Sequence, residues 1–230
     1  MRFAPTTSLG SSSRRGVPSG AFTLIELLVV MAIIAVLAAL LMPAFHSMRA
    51  KANQTKCVHQ LRNWGQVIGL YAGDNEQIVG WKPWAPISND PAVASIYQRY
   101  FKTPDALVKA RMCPAHVWKS DGKSNPPPTY LFARPLEGGK TIVDPIKLTH
   151  VAQRSQLLLM IDSAPNSGDT LRSADQFDTQ IKPAISRHAD GVNALFADMH
   201  VEWVDWKRID GVEAASKKLR QAWLTMDTEP

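Results

Sequence analysis

His188, Asp198 and His200 carry imidazole and carboxylate groups of the kind that ligate zinc. Their spacing argues against convergence. In a strand His200 and Val201 point to opposite faces, and His188 precedes that strand by several residues. Turn and loop hydrogen bonding is therefore their expected role, and no metal site is expected. Cys57 and Cys113 are the only thiols and lie in separate regions. CxxC spacing of the metal-binding kind is absent, so at most one intrachain disulfide forms, with two unpaired buried thiols as the alternative. The sequence contains no G-x-S-x-G, H-E-x-x-H, phosphate-binding loop or dinucleotide fingerprint. Neither a nucleophile nor a cofactor is implied, and the chain does not read as an enzyme. Seven tryptophans are expected to fill a core or its rim, a sugar-binding face being the alternative.

Charge narrows the partners. The formal net charge is +6, and Arg2, Arg14 and Arg15 all precede residue 22, where no acid stands. Removal of that leader would leave +3. Elsewhere Lys and Arg are mixed with acids, without the basic run or interleaved aromatics of a phosphate-tracking groove, which excludes nucleic acid as a partner.

One acid stands out against its surroundings. From Leu27 to Phe45 no residue is charged, and with Phe22 to Ile25 ahead of Glu26 the run is long enough to cross a bilayer as a helix. No A-x-A site closes the run, so it is expected to be retained rather than removed as a signal peptide. Arg14 and Arg15 favour a cytoplasmic N-terminus, with Arg49, Lys51 and Lys56 on the far side acting against them. A carboxylate at Glu26 costs up to about 3 kcal/mol near the bilayer centre, so it needs a partner or a shallow position.

The stretch Ala21-Phe22-Thr23-Leu24-Ile25-Glu26-Leu27-Leu28-Val29-Val30 resembles the cleavage and methylation motif of type IV prepilins and type II secretion pseudopilins. That resemblance implies a membrane aspartic peptidase, the prepilin peptidase, which cuts on the cytoplasmic side and methylates the new amine. The family's glutamate is the fifth mature residue, which places the cut between Ala21 and Phe22 and the methyl group on Phe22. Ala21 stands where the family usually has Gly, and a cut after Gly20 is the alternative. The resemblance also supplies Glu26 with a partner, the N-terminal amine of a neighbouring subunit, so that Glu26 sets register during polymerisation.

Beyond Pro43, the positions Phe45, Met48, Ala52, Thr55, Val58, Leu61, Trp64, Ile68 and Tyr71 recur at steps of three or four. The helix is expected to continue past the bilayer and stop near Gly73, making a rod of about 75 Å bent at Pro43. Trp81 to Pro91 and Ser120 to Thr129 read as loops. Tyr130 to Ala133, Leu157 to Ile161, Val192 to Ala197 and His200 to Val204 read as short strands of an antiparallel sheet, and residues 211 to 225 as a last helix with Val212, Ala215, Leu219, Ala222 and Trp223 on one side.

The segment from His188 to Val201 resembles the H-X9-DG signature at the C-terminus of one large group of prepilin-type proteins. Nine residues separate His188 from Asp198, and Met199 replaces the family's Gly; Met is poorly suited to the positive φ of a tight hairpin turn, so a wider turn is one expectation here. A two-residue loop at Asp198 and Met199 would pair Phe196 with Val201 and Ala194 with Trp203. Calcium in a C-terminal loop is a further family property, and Asp162, Asp169, Asp175 and Asp178 lie near one another, without EF-hand spacing.

Together these features predict an α+β, pilin-like fold, a long N-terminal helix packed on a small antiparallel sheet domain. The expected organisation is a leader at 1–21, a transmembrane helix at 22–45, its amphipathic continuation at 46–73 and an extracytoplasmic domain at 74–230. The resemblance implies a structural subunit of a type II secretion pseudopilus or type IV pilus-like filament, single-pass in the bacterial inner membrane. Its implied partners are prepilin peptidase and other pilin subunits. The rival reading is a membrane-anchored metal-dependent enzyme or carbohydrate-binding protein.

Overall fold

The computed structural model describes residues 23–79, 100–101, 103–116, 128–134, 136–137, 140–141, 146–165 and 170–225. The loop expected at Trp81 to Pro91, and residues 120–127 of the second, lie outside them. The chain divides into two compact units, Met1–Phe45 and His46–Pro230.

Helix α1 runs from Leu24 to Asp74 and continues through Pro43. Leu, Ala and Met dominate its first half and favour helix strongly. At its end the Ala72 carbonyl accepts from the N–H groups of Asn75 and Gln77, and Glu76 and Gln77 take φ values of 54° and 65°. The left-handed stop thus falls just after Gly73, on two residues with side chains. Complete burial begins at Cys57 and continues through Leu61, Trp64, Ile68 and Ala72, one face at helical spacing. Phe45 and Met48 are exposed, so the stripe expected from the sequence is used only in its second half.

Beyond α1 come β1 (Ile78–Val79), α2 (Pro104–Ala110), β2 (Tyr130–Ala133), β3 (Leu136–Glu137), β4 (Lys140–Thr141) and β5 (Ile146–Lys147). They are followed by β6 (Leu158–Asp162), β7 (Thr170–Leu171), β8 (Gly191–Phe196), β9 (Val201–Asp205) and α3 (Ala214–Leu224). The main sheet has the order β7-β2-β6-β8-β9. Its pairs are antiparallel except β2 with β7, which is parallel. The pairs β1-β5 and β3-β4 form two small ribbons. Chain and sheet together make the expected α+β, pilin-like architecture.

Strands β2, β6 and β8 are buried along their whole length, because both faces of the sheet are covered. Tyr130, Phe132, Met160 and Leu195 share one core with Cys57, Leu61 and Trp64 of α1. Leu131, Ile161, Ala194 and Phe196 share the other with Phe177, Trp206 and Trp223. The alternation of strand side chains sorts neighbours into the two cores.

The last hairpin forms with a different register from the one a two-residue loop would give. Leu195 pairs with Val201, Ala194 with Glu202 and Asn193 with Trp203. Phe196 and His200 close a three-residue loop in which Met199 N–H donates to the Phe196 carbonyl at 2.9 Å. Met199 takes φ 70°, the left-handed position that such a loop places last. The extra loop residue shifts the pairing by one, so Phe196 does not face Val201 and Ala194 does not face Trp203.

Helix α3 buries part of the expected side, with Trp223 buried and Leu219 packed against the core, but is rotated from it. Ser216, Arg220, Trp223 and Leu224 are buried, while Val212 is 79% exposed. Arg220 is the reason: its guanidinium donates to both oxygens of Asp178 at 2.9 and 3.0 Å and its Nε to the Ile209 carbonyl. It also lies 5.1 Å from the Phe177 ring centre and 5.3 Å from that of Trp206, so its charge is met by aromatic faces as well. The Arg220 hydrogen bonds hold the Asp178 carboxyl below the ordinary value of 3.8. A depressed folded value means that the unfolded chain binds the proton more readily. The pair's contribution is therefore complete above the ordinary value and is lost as pH falls through the folded one. Arg220→Met is expected to cost about 2 kcal/mol at neutral pH. It should also flatten the dependence of the denaturation midpoint on pH in the acid range, as read by urea titration at a series of pH values.

Candidate functional site: the processing segment and a buried polar centre

The first described residue, Thr23, caps α1. Its backbone N–H donates to Glu26 Oε2 at 2.9 Å and its hydroxyl to the same oxygen at 2.8 Å, while Glu26 N–H donates to the Thr23 hydroxyl at 3.3 Å. This is a reciprocal capping box, which satisfies backbone donors that a helix start otherwise leaves without partners. The partners of Glu26 are thus a hydroxyl and an amide three residues upstream rather than a cation. The signature Thr-x-x-Glu is plain in the sequence. Leu24 to Phe45 are exposed throughout, and α1 is long and apolar enough to cross a membrane. Ala21 and Phe22, the residues flanking the expected cut, lie outside the described residues, as do Gly20, Arg2, Arg14 and Arg15.

The second feature lies on the sheet face shared with α1. Cys57 of α1 is joined by a disulfide to Cys113, just after α2, with a sequence separation of 56. The Cys113 N–H donates to the Thr129 hydroxyl at 2.6 Å, which ties the cysteine to the start of β2. Across β2, β6 and β8 a polar row follows. Tyr130 pairs with Asp162, and Asp162 Oδ2 accepts from the backbone and side-chain nitrogens of Asn193, both at 2.8 Å. His188 Nε2 lies 3.2 Å from Asp162 Oδ2 and 3.2 Å from Cys113 Sγ. Since a carboxylate only accepts, the Nε2 proton belongs to the contact with Asp162. His188, Asp162 and Asn193 are all at most 1% exposed. Burial, and the Asp162 charge after it, push the Tyr130 hydroxyl well above its ordinary value, so it stays protonated. Arg187 Nη2 closes the edge by donating to the Ser163 carbonyl at 2.6 Å.

The sequence candidates are thereby separated. His188 stands before β8, whereas Asp198 and His200 occupy the hairpin loop beyond its far end, about 20 Å away along a six-residue strand. His200 Nδ1 meets Asp198 Oδ1 at 2.5 Å, a local loop contact, and its ring stacks on Phe196 with centres 4.6 Å apart. The three do not form one metal site. Of the aspartates, Asp162 is committed to Asn193 and His188 and Asp178 to Arg220, Asp175 is exposed, and Asp169 lies outside the described residues. Among the described tryptophans, Trp64, Trp206 and Trp223 are buried and Trp203 is 37% exposed. Trp81, Trp84 and Trp118 lie outside.

Sequence reasoning set His188 apart by its spacing from Asp198, yet its contacts are with Cys113 and Asp162. Gly191 has a visible reason: a Cβ there would collide with the Trp203 indole, whose Nε1 donates to the His188 carbonyl at 2.8 Å. Ala189 and Asp190 both take left-handed φ, 53° and 61°, which aims the Asp190 carbonyl at the Trp206 N–H, 3.0 Å away. A side chain at such a position costs roughly 1 kcal/mol. Ala189 is exposed, so Ala189→Gly is expected to stabilise the chain by about 1 kcal/mol, read as a raised denaturation midpoint.

The family model for the prokaryotic N-terminal methylation motif matches residues 18–42. No curated protein and no solved structure matches the chain. The matched span contains Ala21, Phe22, Thr23 and Glu26 and most of the apolar run, but none of the sheet unit.

Proposed function

We infer, from a methylation-motif match that supports a type IV pilin-like protein, that this chain is a structural prepilin-type subunit of the pseudopilin kind. Prepilin peptidase cuts between Ala21 and Phe22 and methylates the Phe22 amine. Residues 22–45 then hold the subunit in the bacterial inner membrane, with 46–73 continuing the helix and 74–230 forming the domain outside the cytoplasm. Assembly with other pilin subunits gives a type II secretion pseudopilus or a pilus-like filament, without catalysis by the chain itself. The carrying observation is the coincidence of the matched motif with the exposed apolar start of α1 and its capped Glu26. His188 and Asp198 belong to the C-terminal signature in this reading. Here their work is architectural, with His188 at the buried centre and Asp198 in the closing loop.

The reading is tested by intact mass and N-terminal sequencing of membrane-extracted protein made with and without prepilin peptidase. A start at N-methylated Phe22 only when the peptidase is present is the expected result. A product retaining Met1 in both cases, or one freed from the membrane by removal of the apolar run, overturns it.

A further inference from the structure

We propose that in its dithiol form this chain holds a zinc ion between Cys57, Cys113 and His188, at the place the disulfide occupies after oxidation. The ligand atoms of these three residues all lie within 4.8 Å of one another and all three residues are buried. They come from three separate elements, α1, the turn after α2 and the segment before β8, which together already form a closed cage. Two thiolates and one imidazole are a preferred zinc set, with bonds of about 2.3 Å to sulfur and about 2.0 Å to nitrogen. Tetrahedral ligands at those lengths stand about 3.3–3.8 Å apart, close to the 3.2 Å already separating Cys113 Sγ from His188 Nε2. Cutting the disulfide lets the two sulfurs part to that spacing.

A carboxylate stands beside His188. Asp162 Oδ2 is 3.2 Å from His188 Nε2, and Asp162 Oδ1 has no hydrogen-bond partner among the described residues. An unpartnered carboxylate oxygen in a fully buried site costs free energy unless something positive meets it. A divalent cation nearby supplies that positive charge, and two thiolates with a neutral imidazole balance the ion itself. The burial of all three ligand residues describes a structural site, closed to a substrate, rather than a catalytic one.

Zinc and disulfide exclude each other because both use the same sulfur electrons. Reduction by a phosphine takes one water and gives two thiols and the phosphine oxide. Zinc then displaces two thiol protons to solvent, binds both thiolates and takes His188 Nε2 as a neutral imidazole whose proton has moved to Nδ1. Exchange with the disulfide of an oxidising protein would form the Cys57–Cys113 bond, release Zn2+ and reduce that protein's disulfide to two thiols, which take up two protons from solvent. The same cage is thus closed by metal before oxidation and by a covalent bond after it. The inference concerns the sheet unit and stands whether or not the chain enters a filament.

The test uses the full chain in detergent, reduced with a phosphine, freed of metal and titrated with Zn2+ or Co2+ without oxygen. The dithiol chain is expected to take one metal per chain and to show thiolate-to-cobalt charge transfer with tetrahedral bands. The disulfide form should take none. His188→Gln, which keeps the bulk and a hydrogen-bonding group, should weaken binding at least tenfold. Bound zinc should protect both thiols from alkylation. Failure of the dithiol chain to bind, or equal affinity in the His188→Gln chain, overturns the proposal, the latter showing two thiolates acting alone. If reduction abolishes the tryptophan near-ultraviolet signal, zinc must restore it, and a signal that stays lost overturns the proposal as well.

Discussion

Cys57→Ala together with Cys113→Ala is expected to lower the stability of the sheet unit by about 4 kcal/mol. The two residues are 56 positions apart, so the bond removes a large loop's freedom from the unfolded chain, and the loop-entropy relation gives that figure. Alanine avoids leaving a hydroxyl without a partner in a site that is at most 1% exposed. For a chain of this size the drop corresponds to roughly 8–16 °C in the melting midpoint. The check is denaturation of the full chain in detergent, with and without reductant and with metal removed. Reductant should lower the parent to the level of the double variant and leave that variant unmoved. A parent whose midpoint ignores reductant would show that the bond contributes nothing to stability.

Glu26→Val is expected to leave membrane insertion and cleavage intact while cutting filament assembly by tenfold or more. Two roles compete for the same carboxylate: the reciprocal cap with Thr23 within one chain, and an ion pair with the amine of a neighbouring subunit. Glu26→Gln separates them. Glutamine serves equally in a capping box, but it carries no charge, and an ion pair broken in low dielectric costs about 3–5 kcal/mol. Both variants should therefore assemble poorly if the amine is the partner. The measurement is the fraction of processed subunit recovered in sheared filaments, normalised to the processed subunit left in the membrane. Parent-like assembly by the Gln chain, with loss only in the Val chain, would assign Glu26 to the cap alone.

The elements legible in the sequence were those with a strong local signal. The apolar run and the three-and-four spacing through Leu61, Trp64 and Ile68 mark α1, and β-branched and aromatic runs mark β2, β6, β8 and β9. What depended on a single residue's backbone or on distant partners was not legible. Met199 accepts a left-handed φ despite its side chain, inside a turn that is wider by one residue than a two-residue loop, and so the hairpin register moves by one. Arg220 turns α3 because Asp178, 42 positions away, awaits it, and no periodicity announces such a pair. Asp162 reads as one of several acidic residues, yet strand pairing sets it between Asn193 and His188. Nothing in local sequence distinguishes it from Asp178. The pairing of Cys57 with Cys113 could be left open on sequence grounds because it requires the turn after α2 to meet α1.

Among the described residues, Cys57 is the first of α1 to be completely buried. A pull applied along the helix from its N-terminal side therefore reaches the covalent bond to Cys113 before it reaches Leu61, Trp64 or Ile68. With the bond intact, tension is diverted into the turn after α2 and on through Thr129 to β2, and the downstream helix cannot be peeled away one side chain at a time. Once that bond is opened, the same load falls on van der Waals contacts in series, and the subunit becomes a far weaker mechanical link.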